Sequence, residues 1–315
     1  MRHLAYPKIP TARQLGSGRA GGGTWIATEK VHGAQLVVAA DGRGRVRVGK
    51  RKAWLDDDEP FFGWQLLRAQ FEQAARAALA GGAAAVRIYG ELYGGHYPHP
   101  DVAPAPGASA VQTGVWYSPD VRFALFDILA HDNPEAPEHP GTYRTYAEVA
   151  EVAAAAGLDV VPLLGRGTRA SLDAVPVRFQ TRVPRRLGLP PLDGNLAEGV
   201  VLRPDAALAP QDRTAVKVKI DEFDERRFGE SLPWDPYTRL DATQLARIAA
   251  AMVNPPRIAS ARSKAGTAPG ALLDEVVLDV LVDLSEAYPA ATAALDQAGQ
   301  AALEDAVRRA ARGQR

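Results

Sequence analysis

Residues 24–40 read TWIATEKVHGAQLVVAA, two apolar runs joined at a His-Gly pair. The first run predicts a β-strand that ends at Lys30 and enters a tight turn, and the second run predicts the next strand. DGRG and RVRVGKR follow, and these turn residues with alternating Val and Arg predict a β-hairpin. The segment therefore predicts a β-sheet framework with one lysine at the point where a strand turns.

Outward from this segment, the same patterns predict the other elements. Further strands are predicted in AVRIYGELY (85–93), DVRFALFDILA (120–130), DVVPLL (159–164), AEGVVLRP (197–204) and TAVKVKI (214–220). Helical spacing is found at Phe61 to Ala80, Thr145 to Ala156, Ser171 to Leu187, Asp241 to Val253, Gly270 to Tyr288 and Pro289 to Arg312. The Pro- and Gly-rich segment from His96 to Gly114 predicts a surface loop.

These elements predict an α+β protein with two domains. Residues 1–232 would form mainly antiparallel sheets with flanking helices, and residues 233–315 would form a small all-α domain at the C-terminus. The change of character near Leu232 marks the predicted boundary, because no convincing strand follows it.

Composition narrows the class of protein. The chain has 315 residues, 46% of them hydrophobic, which is enough for a large core. It contains no cysteine, so disulfides and thiolate metal sites are excluded. Its first residues have no apolar signal-like region, and acids interrupt the later apolar stretches. We expect a soluble cytoplasmic protein with no membrane partner.

Lysine usage points to chemistry. The 37 basic and 37 acidic residues balance, so any polyanion partner must be bound by local clusters such as residues 43–52 and 178–186. Only seven of the basic residues are lysine, and arginine supplies the rest. Because arginine does not lose its proton in proteins, lysines that persist against this bias are candidates for nucleophilic roles.

Three groups of residues form one constellation. Lys30 stands before the His-Gly turn, where desolvation could free its amine for attack. Glu91 and Glu198 lie in apolar strand sequences, where a carboxylate needs a cation, a metal or hydrogen bonds. Lys217 and Lys219 are two residues apart on a predicted strand and would face the same side. A bound triphosphate with a divalent ion would satisfy all three groups.

In this order, the motifs resemble those of covalent nucleotidyltransferases. KVHGAQ with GKRK, YGELYGG, VQTGVWYSP, FDI and EGVVLRP resemble the RNA ligase two family in particular, which includes phage and kinetoplastid RNA-editing ligases. The resemblance runs from Ile26 to Phe223, and RIASARSKAG at residues 257–266 resembles the family's helical tail. It implies a nucleotidyltransferase fold, related to ATP-grasp, for the adenylation domain.

The resemblance also implies a role for each matched residue. Lys30 would attack the α-phosphate of ATP and become a lysyl-N-adenylate, with Lys217 and Lys219 on that phosphate and Glu198 placing Mg²⁺ or Mn²⁺. The remaining nucleotide contacts implied by the resemblance are Glu29 at the adenine edge, His32 beside the phosphates, Gly33 and Gln35 in the turn, Arg51 on ribose or phosphate, Glu91 on ribose and Phe126 stacked on adenine. Gln35 stands where the family more often has Asn.

An RNA ligase would also need basic residues for RNA phosphates. The candidates are Lys50, Lys52, Arg257, Arg262 and Lys264. Each is equally well explained as an exposed charge on a solvated surface.

The leading hypothesis is an ATP-dependent RNA ligase that joins 5′-phosphate and 3′-hydroxyl RNA ends, at nicks in a duplex. Two alternatives stay open at this point. One is an adenylyltransferase or ligase acting on DNA or mixed ends, and the other is a catalytically silent nucleotide- and RNA-binding module.

Overall fold

The structure is a computed structural model that describes residues 1–10, 23–112, 114–133, 140–220, 223, 240–265 and 269–313. The chain divides into two compact units, Met1–Ile220 and Asp221–Arg315. The boundary predicted near Leu232 lies outside the described residues. Among the helices of these ranges, none combines the length and apolarity that crossing a bilayer requires.

In the described part of the first unit, four strands form an antiparallel sheet. They are β1 (Trp25–Glu29), β9 (Leu163–Gly167), β10 (Gly199–Pro204) and β11 (Val216–Lys219). The spatial order is β11-β10-β1-β9. Two distant parts of the chain, β1 and β10, are therefore neighbours.

A second sheet contains seven strands within the described ranges. They are β2 (Ala34–Asp41), β3 (Val46–Lys50), β4 (Ala53–Trp54), β5 (Ala85–His96), β6 (Ser118–His131), β7 (Thr142–Tyr143) and β8 (Asp159–Val160). The order is β4-β3-β2-β5-β6-β7, and β8 pairs in parallel with β6. The chain crosses from the first sheet to the second between Glu29 and Ala34, at the predicted His-Gly turn.

Two helices cover one face of the second sheet. Helix α1 (Arg68–Leu79) and helix α2 (Tyr146–Ala155) share a core with apolar side chains of β2, β5 and β6. Helix α2 begins where predicted because Thr145 and Glu148 form a reciprocal capping box. Helix α1 and its preceding 3-10 turn start at Trp64 rather than Phe61, because Phe62 and Gly63 have positive φ angles of 52° and 72°.

The helix predicted from Ser171 to Leu187 is wrong over most of its length. Only a 3-10 turn (Ser171–Ala174) and a single-turn helix α3 (Val183–Arg186) form. Pro176 has no N–H to donate and disfavours helical backbone in the residue before it. Pro184 lies in the first turn of α3, where its missing N–H costs nothing.

The described part of the second unit is helical, and its helices enclose their own apolar core. The helices are α4 (Ala242–Ala251), α5 (Pro255–Ala265), α6 (Pro269–Ala287), α7 (Pro289–Ala293) and α8 (Gln297–Gly313). The single helix predicted from Pro289 to Arg312 is two helices, because Asp296 accepts a hydrogen bond from the N–H of Gly299 and so caps α8. The predicted α+β class, with mainly antiparallel sheets and a helical C-terminal part, is confirmed.

Candidate active site

Lys30 and Glu198 form the centre of the site. Lys30 follows β1 and Glu198 precedes β10, so the pairing of these strands brings the two side chains together. The Nζ atom of Lys30 donates a hydrogen bond to Oε2 of Glu198 over 2.6 Å. On the other side, Nζ of Lys219 lies 2.9 Å from Oε1 of the same carboxylate. One carboxylate therefore holds two lysines that are 189 positions apart in the chain, the difference between 219 and 30.

Two glycines allow this close packing. A Cβ atom on Gly33 would lie 2.1 Å from the carbonyl oxygen of Leu92, so only glycine lets the turn meet β5. Gly199 has a φ of +152°, and a Cβ there would lie 2.0 Å from the carbonyl oxygen of Val218. The glycine of the EG pair thus lets β11 approach and deliver Lys219 to Glu198.

Electrostatics fix the charge of Glu198. Its side chain is only 2% exposed, and burial alone would raise its pKa. The charges of Lys30, His32 and Lys219 outweigh burial and hold the pKa of Glu198 well below its usual range. Nδ1 of His32 lies 3.4 Å from Oε2 of Glu198. Glu198 is therefore an ionised anchor rather than a proton acceptor near neutral pH.

Glu91 differs from Glu198 although it lies beside it. Burial raises the pKa of Glu91 to about 7; Lys30, His32 and Arg51 act against this increase, and the charge of Glu198 adds to it. Gln35 lies directly opposite Glu91 in the pairing of β2 with β5. Its Oε1 atom is buried and has no hydrogen-bond partner among the described residues, so it can accept from a bound molecule.

The His-Gly turn is held by Tyr117, which lies in the quoted VQTGVWYSP string but was given no predicted role. The backbone N–H of His32 donates to the hydroxyl of Tyr117 over 2.9 Å. Tyr117 is fully buried in the loop before β6. Nothing in the sequence signals this contact, because 85 positions separate the two residues.

Glu29 contacts the chain itself. It is 1% exposed, and its carboxylate accepts hydrogen bonds from the Thr181 hydroxyl and, over 2.9 Å, from the Arg182 N–H. Burial raises its pKa to about 7 against these hydrogen bonds. Its contact with an adenine edge stays a prediction, and the observed role is to attach the 181–182 segment to the end of β1.

The other predicted nucleotide contacts lie at varied positions. The N–H of Lys217 donates to the carbonyl of Pro10 over 3.0 Å, and its side chain is half-buried on β11. Arg51 is exposed, and its charge acts on Glu91. Phe126 is half-buried on β6, with its ring edge-to-face against Tyr6 at 4.9 Å. The stacking of Phe126 on adenine stays a prediction.

Three of the five predicted RNA-binding residues already face acids of the chain. Lys50 pairs with Glu59 over 2.8 Å. In the second unit, Arg257 pairs with Asp283 over 2.8 Å, and Lys264 pairs with Asp279 over 2.6 Å. These contacts give all three a structural role, whereas Lys52 and Arg262 are exposed.

A second buried charged cluster in the first unit was not predicted. The Tyr6 hydroxyl donates to Oδ2 of Asp127 over 2.8 Å, and the Arg213 guanidinium contacts both residues. Asp127 is completely buried, and the Arg213 side chain is 3% exposed. This cluster ties the N-terminal segment to β6 and to the connection between β10 and β11. The FDI string contained Asp127, but its partners are distant in the sequence.

Two carboxylates, Glu91 and Glu198, are candidates for a metal site near Lys30. Within the described residues, no group of three or more His, Cys, Asp or Glu side chains is assembled around a common point. Glu91 and Glu198 act electrostatically on one another and on Lys30. Two carboxylates fit Mg²⁺ or Mn²⁺, which are commonly held by one or two carboxylates together with substrate phosphates and water.

The fold and the lysine-centred site agree with the family comparison. A family model described as RNA ligase matches residues 23–219, more than half of the chain and the whole stretch that carries the site. The chain belongs to the RNA ligase family. The predicted family membership is therefore confirmed.

Two curated relatives are similar to part of the chain. RNA-editing ligase 2, mitochondrial, of Trypanosoma brucei brucei is 34% identical over 228 residues, which cover 64% of this chain and 54% of the relative. RNA-editing ligase 1, mitochondrial, of the same organism is 30% identical over 208 residues, covering 57% and 44%. The chain thus spans about half the length of the curated relatives it matches.

Solved structures that part of this chain resembles include mutants of the Naegleria gruberi RNA ligase. One with AMP and Mn has a TM-score of 0.46 and 14% identity, covering 71% of this chain and 58% of that one. Another with ATP and Mn has a TM-score of 0.44 and 14% identity, covering 66% and 52%.

Proposed function

We propose that this chain is an ATP-dependent RNA ligase that joins 3′-hydroxyl and 5′-phosphate RNA ends, at nicks in a duplex, through a lysyl-N-adenylate on Lys30. The observation that carries the proposal is the grouping of Lys30, Lys219 and His32 around Glu198. Three cationic or protonatable groups surround one buried carboxylate. Such a group can bind a polyanion and place its phosphorus near the amine of Lys30. A cytoplasmic location is part of the proposal, whereas the relatives are named mitochondrial.

In the first step, Nζ of Lys30 would attack the α-phosphorus of ATP. A P–N bond forms, the bond from the α-phosphorus to the bridging oxygen breaks, and pyrophosphate leaves. The amine must lose its ammonium proton first and one further proton as the bond forms. Glu91 supports this step, because a carboxylate whose pKa is about 7 can accept a proton near neutral pH.

The residues of the chain would divide the remaining work. Lys219 and Lys217, on the strand next to Glu198, would stabilise the charge that develops on the phosphate oxygens. A Mg²⁺ or Mn²⁺ ion held by Glu198 would neutralise phosphate charge. The buried Oε1 of Gln35 would accept a hydrogen bond from the nucleotide.

Two transfers complete the reaction. An oxygen of the RNA 5′-phosphate attacks the adenylate phosphorus, the P–N bond breaks, and Lys30 takes back a proton. The RNA 3′-hydroxyl then attacks the activated 5′-phosphate and loses its proton to solvent, a phosphodiester forms, and AMP leaves with the electrons of the broken pyrophosphate bond. The AMP phosphorus is attacked in the first two steps, and the RNA 5′-phosphorus is attacked in the third.

Sealing of a nicked RNA duplex tests the proposal. The protein, ATP and Mg²⁺ or Mn²⁺ are incubated with a duplex that has a 5′-phosphate and a 3′-hydroxyl at the nick, and the product is resolved on a denaturing gel. We expect a joined strand and none when the nick carries a 5′-hydroxyl. Sealing of DNA ends alone would favour the alternative of a ligase that acts on DNA. Absence of both adenylylation and sealing would contradict the proposal.

A further inference from the structure

A cavity beside the site is lined by three arginines and no acid. Its volume is about 580 Å³, and its lining comprises Tyr146, Pro162, Leu163, Arg182, Arg185 and Arg186. The three arginines are exposed, and the sequence contains no acidic residue from position 174 to position 192. This cavity is therefore a local concentration of positive charge on a chain whose total charge is zero.

The two acids nearest this cavity have buried side chains bonded to other groups of the chain, although the charges of Arg182 and Arg186 act on Glu29. Glu29 is buried beneath the segment and points to Thr181 and the Arg182 backbone. Asp205 accepts from the N–H of Tyr146, but its carboxylate is 4% exposed and pairs with Arg166 over 2.7 Å. The three arginines are therefore exposed, although Arg186 also donates to the carbonyl of Val160, and the carboxylates of Glu29 and Asp205 are buried.

A second, mostly apolar cavity shares Arg182 with the first. It measures about 250 Å³ and is lined by Leu164, Ser171, Ala174, Val175, Pro176, Phe179 and Arg182. A charged cavity next to an apolar one with a half-buried aromatic ring suits the alternation of phosphate and base along a nucleic-acid strand.

The segment that carries the three arginines, residues 182–186, is attached to the end of β1. Glu29 immediately precedes Lys30, and its carboxylate holds Thr181 and the backbone of Arg182. A nucleic-acid strand bound along Arg182 to Arg186 would therefore be positioned by the C-terminal end of β1, which Lys30 directly follows.

From this arrangement we propose that Arg182, Arg185 and Arg186 form a binding surface for backbone phosphates of the RNA substrate. The inference rests on the proposed ligase function and assigns its RNA contact to the first unit. It adds a surface to the residues predicted from the sequence, three of which are occupied by internal ion pairs. Guanidinium groups suit phosphate because they donate two parallel hydrogen bonds.

Charge reversal at Arg185 tests the surface. Arg185 is exposed, whereas Arg186 also donates to the carbonyl of Val160 and is less suitable for substitution. Arg185→Glu is compared with Arg76→Glu, which reverses an exposed arginine on α1. A fluorescent nicked RNA duplex with a 5′-phosphate is titrated at several salt concentrations, and self-adenylylation is measured separately with α-labelled ATP.

We expect Arg185→Glu to weaken RNA binding roughly five- to tenfold near 0.1 M salt, and the slope of log K against log salt to become shallower by about one. Arg76→Glu should match the wild type in both measurements, and self-adenylylation should be unchanged in both variants. The double variant with Arg182→Gln and Arg185→Gln should also bind RNA more weakly than the wild type. It keeps the hydrogen bond from the Arg182 backbone N–H to Glu29, because only side chains are changed.

An Arg185→Glu affinity and salt slope equal to those of Arg76→Glu would overturn the RNA surface while leaving adenylylation intact. RNA that does not bind to the wild-type protein would overturn it as well. A wild-type protein that binds RNA through these arginines but forms no adenylate would instead contradict the proposed catalytic function.

Discussion

Nζ of Lys30 lies 2.6 Å from Oε2 of Glu198, a residue 168 positions later in the chain. This contact places the side-chain nitrogen of the proposed nucleophile against an ionised carboxylate. For the amine to attack, the carboxylate must release it, and an anionic triphosphate would compete for the same lysines. Glu198 therefore holds Lys30 and Lys219 together in the described structure.

Replacement of Glu198 tests this role. In Glu198→Gln, Lys30 and Lys219 lose their shared anionic partner, and one carboxylate ligand for a divalent ion is removed. We expect the rate of lysyl-adenylate formation to fall about a hundredfold or more. Labelled ATP in rapid-quench experiments measures the rate, with the exposed Glu151→Gln on α2 as control. Equal rates in both variants would remove Glu198 from the mechanism.

Glu29 should make stability depend on pH. Its pKa is raised from 4.5 to about 7 in the fold, so the unfolded chain loses this proton first. The folded state binds the extra proton between these values, and stability therefore falls as pH rises from about 4.5 to 7 and is level above. Over this pH range the carboxyl of Glu29 lowers the free energy of unfolding by about 3 kcal/mol in total.

Glu29→Gln should remove that part of the pH dependence. Urea unfolding at pH values from 4.5 to 8 measures it, and the free energy of unfolding of the variant should decline less over this range than that of the wild type. Glu91, whose pKa is also raised to about 7, adds a slope of the same sign that remains in the variant. Parallel pH curves for the variant and the wild type would show that Glu29 does not titrate in this range.

Some of the site was predictable because it depends on local sequence. Lys30 precedes a His-Gly turn, and the position of the turn between two strands follows from the apolar runs around it. Gly33 and Gly199 are found where the backbone approaches another strand too closely for a side chain, which explains why the KVHG and EG strings contain glycine.

Other features depend on contacts that local patterns do not contain. Two neighbouring lysines on β11 predicted a shared anionic ligand, but Lys219 pairs with Glu198 because β10 lies between β11 and β1. The apolar spacing from residue 171 to 187 resembles a helix, yet Pro176 prevents it. The contact of Glu29 with Thr181 joins the end of β1 to a segment 152 positions later in the chain.

The buried cluster around Asp127 should dominate the stability of the first unit. Asp127→Ala leaves the Arg213 guanidinium buried without its carboxylate and removes the acceptor of the Tyr6 hydroxyl. We expect a loss of about 3–5 kcal/mol in the free energy of unfolding. Asp57→Ala breaks a pair with Arg68 in which the carboxylate is 86% exposed, and should cost less than about 1 kcal/mol. Similar losses in chemical denaturation would contradict the buried cluster.

Gly33 should be intolerant of any side chain. A Cβ would meet the Leu92 carbonyl at 2.1 Å, so Gly33→Ala forces the turn away from β5 at a cost of about 1–3 kcal/mol and displaces Lys30. Gly42→Ala is the matched control, because its Cβ would lie 3.5 Å from the carbonyl of Ala84. Thermal unfolding and adenylate yield report the two effects, and equal behaviour of the variants would be inconsistent with the packing described.

The central claim is that Lys30 carries the adenylate. The most direct measurement is to incubate the protein with ATP and Mg²⁺ or Mn²⁺, digest it and locate the added AMP by tandem mass spectrometry. The account predicts one AMP on the peptide that contains Lys30, absent in Lys30→Arg although that variant stays folded. An adduct on another residue, or an adduct of equal yield in Lys30→Arg, would contradict it.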